Sequence, residues 1–348
     1  MVTLTYASIT ARKAIRYGIY FIIFLIIGRI MLNGAISLYK KVFPPAPEPP
    51  TVAFGKLPKL PFPEKTKLNL NFTLETVEGN IPSFDAKANV YFMPRKSANL
   101  LSLDYTKEIA KKLGYTSDPQ QVSDSVYKFN HKTSSAQLEA DIITGAFSIS
   151  FDLNADPTPI LVKPNPPEVS AGTVRSFLSN ANLLAADLNG DVTHQYLKTQ
   201  AGSFIPAVAL SDSNIVRIDL FRKKYNELPI VSNTPDKSNV WFMVSGIKEK
   251  GKDIIAGEYH YFPVDETQKA TYPIKTGDQA WQEFTGGNYY PASYGLTAEG
   301  DNIKIRKIYL AYYDPGVYTE FFQPVYVFEG DKDFKAYVPA VTSDYYGE

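Results

Sequence analysis

The chain contains no cysteine and three histidines in 348 residues. Without thiols there is no disulfide, thiolate-bound zinc, iron–sulfur cluster or thiol nucleophile. His131, His194 and His260 stand far apart, with no H-x-x-x-H pair, so a histidine-rich metal site is not expected. Net charge is also missing. The 36 basic and 36 acidic side chains cancel, leaving no cationic excess to neutralise a phosphate backbone, and nucleic acid is not an expected partner. No G-x-S-x-G elbow, P-loop or dinucleotide fingerprint occurs. Asp187-Leu-Asn-Gly-Asp191 opens like a calcium loop, yet Val192 stands where that loop needs glycine and Lys198 where it needs an acidic ligand. It reads better as a helix end followed by an Asn-Gly turn. No cofactor is expected, and no residue is singled out as catalytic or metal-binding.

What is present is one long apolar run, Tyr17 to Leu38. As a helix it is long enough to cross a hydrocarbon layer of ~30 Å. Arg29 interrupts it at a cost of ~2.5–3.5 kcal/mol near a helix centre, offset by roughly 0.3–0.6 kcal/mol from each surrounding Ile, Leu and Phe. Arg12, Lys13 and Arg16 precede the run, and Lys40 and Lys41 follow it. The bias puts the N-terminus in the cytoplasm and the remainder outside. A signal peptide cleaved near Ala35-Ile36-Ser37 is the rival reading, against which the run's length and Arg29 weigh. Arg29 either snorkels to the headgroups or contacts another membrane helix, with Asn33 one turn further on the same face.

The rest divides by its prolines. Residues 39–64 read as a stiff tether rich in proline, and 157–167 as a second proline-rich linker. The expected plan is a cytoplasmic N-terminus (1–16), a transmembrane helix (17–38), the tether (39–64), a first α+β domain (65–156), the linker and a second α+β domain (168–348).

Alternating apolar residues predict strands at 68–79, 84–93, 126–130, 136–142 and 146–153 in the first domain, with a turn at Thr144-Gly145. Leu100, Leu103, Ile109, Ala110 and Leu113 recur at helical spacing, closed by Gly114. In the second domain a helix is expected over 171–188, capped by Ser170, and a short one capped by Thr276 that holds Ala280, Trp281 and Phe284. Strands are expected at 204–210, 215–222, 240–247, 254–262, 303–313, 323–328 and 334–338. The order strand, strand, helix, three strands describes both 68–153 and 240–338, and Asn89–Pro94 parallels Glu258–Pro263. A single helix covering an antiparallel sheet in each repeat gives an α+β fold. Arg222-Lys223-Lys224 and the lysines at 248–252 read as solvated strand edges, and His131 and His194 as solvated loop residues.

Aromatic residues make up 14% of the chain, 24 of them tyrosine, and they crowd towards its end. Most suit sheets and cores, while some are expected to form a partner or ligand surface, with Tyr289, Tyr290, Tyr312, Tyr313, Phe321 and Phe322 as candidates.

The stretches Tyr225-Asn-Glu-Leu-Pro-Ile230, Gly257-Glu-Tyr-His-Tyr-Phe-Pro263, Tyr272-Pro-Ile-Lys-Thr276, Ala280-Trp281 and Ile308-Tyr-Leu-Ala-Tyr-Tyr313 resemble the YycH/YycI-like, PepSY-like extracytoplasmic modules. Gln323-Pro-Val-Tyr-Val-Phe328 and Ala336-Tyr-Val-Pro-Ala340 continue the pattern. The resemblance implies a membrane helix carrying repeated α+β domains outside the cell. It also implies regulation through protein contact without catalysis. It carries over no functional residue. The expected role is a non-catalytic regulator or scaffold of an envelope complex, with the bilayer and an envelope or membrane protein as partners and homo-oligomerisation left open. Two other readings stay open: an anchored hydrolase with an Asp/Glu site, and a structural subunit of a larger membrane machine.

Overall fold

The computed structural model describes residues 4–42, 48–95, 99 and 101–347. It divides into two units, Met1–Pro49 and Pro50–Glu348. The first holds α1 (Leu4–Val42). From Ile15 to Tyr39 the mean hydropathy is 2.1 over 25 residues. At about 1.5 Å per residue that stretch reaches ~37 Å, more than a hydrocarbon layer requires. Its described side chains are exposed, Arg29 and Asn33 among them, and four residues of spacing put those two on one face. Pro44, Pro45 and Pro47 lie outside the described residues, as do Leu100 and the side chains of Lys40 and Lys41.

The second unit is mixed α+β, with strands outnumbering helices. In chain order it contains β1 (Asn71–Leu74), β2 (Lys87–Phe92), α2 (Ser102–Leu113), β3 (Gln120–Gln121), β4 (Val126–Asn130), β5 (Ala136–Asp141) and β6 (Phe147–Phe151). Then come α3 (Thr158–Leu161), α4 (Pro167–Asn180), β7 (Val192–Gln200), β8 (Ser203–Pro206), β9 (Ile215–Leu220), β10 (Ile230–Ser232), β11 (Val240–Val244), β12 (Ile254–Tyr259) and β13 (Asp265–Pro273). Last are α5 (Gly277–Thr285), β14 (Tyr290–Ser293), β15 (Asn302–Asp314), β16 (Phe321–Phe322), β17 (Pro324–Gly330) and β18 (Lys335–Pro339).

Three sheets result. Nine strands run in the order β3-β4-β5-β6-β12-β11-β9-β7-β8. Alternation sends Phe129, Leu138, Ile149, Ile218 and Phe242 to one face, where they pack with Ala110 and Leu113 of α2 and Val174 and Leu178 of α4. Gly257 lets β12 pass beneath Phe242, since a Cβ there would lie 2.2 Å from the ring. The second sheet, β1-β15-β17-β18-β14 with β10 also on β15, is covered on one face by α5, whose Phe284 stacks on Phe328 with centroids 4.4 Å apart. Both β1 and β10 join β15 in parallel, an exception to the expected antiparallel pattern. A small sheet, β13-β2-β16, completes the unit.

A helix followed by strands that pair antiparallel therefore occurs three times, led by α2, α4 and α5, and only after α2 do the strands form a simple meander, β3-β4-β5-β6. The two-module count changes because β1 and β2, which were to open the first module, pair instead with β15 and with β13 and β16. The sheets also do not part at 157–167, because β6 before that segment pairs with β12 after it. The expected tether is corrected from Thr51 onward, where it is fastened to the folded unit. α4 begins at Pro167, with Pro166 rather than Ser170 at the N-cap. It stops at Asn180, and part of the predicted helix is turn. Thr276 does cap α5, in a capping box with Gln279.

Candidate functional site

The face of the second sheet turned away from α5 carries Tyr290, Ala311, Tyr313, Val325, Val327 and Tyr337, with Leu60 and Phe62 packed on it. Those two residues belong to a strap running from Thr51 to Leu68. Val52 N–H donates to the Thr271 carbonyl (3.0 Å) and Leu57 N–H to the Tyr345 carbonyl (2.8 Å). Leu60 N–H donates to the Tyr346 hydroxyl (3.0 Å), and the Gln323 amide to the Pro58 carbonyl (3.0 Å). Phe62 stacks on Tyr290 at 4.8 Å, and the Tyr294 hydroxyl donates to the Thr66 carbonyl (2.9 Å). Pro58, Pro61 and Pro63 remove three of the strap's N–H groups, and side chains outside the strap supply several of its bonds.

Between strap and β14 lies an open groove of about 510 Å³, bordered by Phe62, Tyr289, Tyr290, Pro339 and Tyr346, by Lys65 and Lys67, and by Glu64. Lys65 Nζ donates to the Ala292 carbonyl (2.7 Å) and lies 5.0 Å from the Tyr290 ring centre. Lys67 Nζ donates to the Gly287 carbonyl (2.6 Å) and lies 5.2 Å from the Tyr289 ring centre. Among the described residues neither ammonium has a carboxylate partner. Desolvation lowers the pKa of Lys65, and pushes Tyr289 up to about 12. An aromatic floor beneath two cations with spare donors, outnumbering the one carboxylate of Glu64, suits an acidic or carboxylate-bearing guest.

The six aromatic residues expected to form a surface are mostly core. All are at most 8% exposed, because each belongs to a packed cluster. Tyr289 lies under α5, Tyr290 and Tyr313 under the strap, Phe321 beside Leu57, and Tyr312 and Phe322 against Tyr91 and Tyr225. Tyr289 and Tyr290 nevertheless border the groove. Lys65, Lys67 and Tyr346 escaped sequence reading, since nothing local says that residues 65 and 346 meet.

Arg222, expected at a solvated edge, is instead buried. Its Nε donates to Asp314 (2.7 Å), Nη1 to Asp187 (2.7 Å) and Nη2 to the Phe262 carbonyl (2.7 Å). Tyr225 and Tyr261 hydroxyls also donate to Asp187, each at 2.7 Å, which uses up the oxygens that a calcium ion would need. Burial alone would raise Asp187, but the Arg222 charge and the two tyrosine bonds outweigh it and hold the carboxyl below its ordinary range. This cluster joins the strand ends of the first two sheets.

A second groove, about 470 Å³, lies over the face of the nine-stranded sheet opposite α2 and α4; α3 covers another part of that face through Ile160. There the Arg217 guanidinium sits 3.9 Å from the Trp241 ring centre and pairs twice with Asp219, at 2.8 and 2.9 Å. Trp241 Nε1 donates to Glu258 at 3.1 Å, and His260 borders the space. Arg217 and Asp219, and Trp241 and Glu258, are thus matched to each other. His194 lies exposed in β7. His131, expected to be solvated, is half-buried edge-on to Tyr115 at 5.6 Å, and burial lowers its pKa against the opposing pull of Asp253 and Glu249. Among the described residues no three His, Asp or Glu side chains gather as a metal site.

No family model matches the chain, and no curated protein does. Among solved structures it is similar to a Eubacterium rectale ATCC 33656 protein, at 12% identity and TM-score 0.38, over 80% of this chain and 90% of the other. It is similar to the YpeB C-terminal domain of Bacillus megaterium at 11% and 0.32, over 72% and 95%. Similarity to YycH from Bacillus subtilis is 10% and 0.32, over 75% and 53%. The family resemblance read from the sequence thus meets structural neighbours only at a distance, and they carry no functional weight.

Proposed function

We propose that this is a membrane-anchored, non-catalytic interaction module. In this reading α1 is an uncleaved anchor with its N-terminus in the cytoplasm, and the sheet-rich unit works outside the cell. It holds an envelope or membrane protein, as regulator or scaffold. The strap groove carries the reading, because its aromatic floor and two carboxylate-free ammonium groups suit an acidic segment of such a partner. Crosslinking the full-length protein in its native membrane, followed by mass spectrometry, tests it. Capture of one defined membrane protein is expected, reduced at least about tenfold by the double change Lys65→Glu and Lys67→Glu. Undiminished capture by that variant would count against the groove. Turnover of a peptide or glycan by the purified protein, lost on replacing one carboxylate, would count against the whole reading. For the topology, protease added outside intact spheroplasts is expected to digest residues 50–348 and spare the N-terminus.

A further inference from the structure

Arg29 lies near the middle of the apolar span Ile15–Tyr39, fourteen residues after its start and ten before its end. At about 1.5 Å per residue those separations are ~21 and ~15 Å. With a hydrocarbon layer of ~30 Å centred on the span, the nearer boundary is still ~11 Å from its Cα, farther than an extended arginine side chain reaches. The direction of the side chain adds to the distance. Cα–Cβ bonds in a helix lean towards its N-terminus, so the guanidinium is aimed back over the preceding turn, away from the nearer boundary and across the middle of the layer. Snorkelling to the headgroups therefore falls short.

The chain itself offers the charge no cover. The span is wholly exposed, and among the described residues α1 is the one helix long and apolar enough to cross a membrane. It contains neither Asp nor Glu. Asn33 and Ser37 follow Arg29 at intervals of four, which at 3.6 residues per turn keeps all three within about 80° of one side. The opposite side is apolar, with Phe24, Met31 and Leu38. A second copy of α1 in the same orientation would set arginine against arginine at one depth and bring no carboxylate, so self-pairing through this side is disfavoured.

We infer that the Arg29–Asn33–Ser37 side of α1 packs against a transmembrane helix of another protein, one that carries an Asp or Glu near the middle of the bilayer. The carboxylate accepts two parallel N–H bonds from the guanidinium, the geometry that suits a charge withdrawn from water. Asn33 and Ser37 bond to the same helix one and two turns further towards the C-terminus. This contact rests on the reading of α1 as an uncleaved anchor, and gives the partner proposed above a recognisable membrane segment. It does not involve the strap groove.

The test reconstitutes the full-length protein in phosphatidylcholine vesicles at neutral pH. Because the chain has no cysteine, Ser8→Cys gives a single site for a donor fluorophore. The probe is an acceptor-labelled polyleucine helix of about 20 residues with one central Glu, compared with the same peptide carrying Gln or Leu there. Energy transfer is expected to show the Glu helix associating at least about tenfold more tightly than the Leu helix, and more tightly than the Gln helix. Arg29→Leu in the same labelled protein makes α1 more apolar and so leaves insertion intact, and is expected to abolish that preference. Equal association of the Glu helix and either control, or a preference kept by Arg29→Leu, would overturn the inference. Carbonate extraction separates its failure from that of the anchor. Release of the protein from the vesicles would overturn both, while retention without a preference for Glu would overturn the helix contact alone.

Discussion

Arg222 presents three donor nitrogens to three acceptors on three separate segments, inside the protein. Removing one partner of such a buried group strands the others. Arg222→Met should therefore cost about 3–5 kcal/mol in chemical denaturation, by leaving Asp187 and Asp314 buried and unpaired. The same cluster sets an acid limit. Asp187 titrates lower when folded than when unfolded. Its contribution is thus fully present above the unfolded carboxylate range near pH ~4, and is lost as pH falls through the folded value. Stability measured from pH 6 to pH 2 should fall less steeply in Asp187→Asn than in the parent chain. Little of this was legible in the sequence. The run Arg222-Lys223-Lys224 reads as solvent-facing because its partners lie 35 and 92 residues away. The aromatic residues were similarly legible as types but not as surface or core, since both uses favour the same side chains.

Elements with local punctuation were read well. α2 ends where Gly114 adopts φ 101°, and α5 starts at the Thr276–Gln279 capping box. Thr276→Ala should cost about 0.5–2 kcal/mol, measurable as a lowered denaturation midpoint. Strands with a clear apolar alternation, such as β4 and β9, matched their predicted ranges closely. β13 and β14 were missed because polar residues fill the first and prolines punctuate both. For the strap, proline content suggested an extended tether, yet composition says nothing about where a segment lies. Leu57 is 0% exposed, so Leu57→Ala should destabilise by about 2–5 kcal/mol. It should also make residues 51–68 more sensitive to limited proteolysis, whereas a free tether would be cut equally in both proteins.

At the scale of the whole chain, prolines at 157–167 suggested two domains, and strand pairing across that segment joins them. A sequence displays its breaks in local periodicity, while pairing between β6 and β12 spans roughly a hundred residues and leaves no local mark. A fragment covering residues 65–156 should accordingly fail to fold alone. Its NMR spectrum should show poor amide dispersion, because β1, β2 and β6 would each lack a neighbour.

The strap also orders the events of synthesis. Leu57 bridges to Tyr346, and β1 pairs with β15 some 230 residues later. Contacts of such long sequence separation slow folding, because a large loop must close before they form. A growing chain therefore carries Leu57, Leu60 and Phe62 without their partners until the final module has emerged. The segment around Tyr346 fastens a strap made some 286 residues earlier, and a helper that shields the strap during that interval would act on folding rate without altering the finished protein's stability.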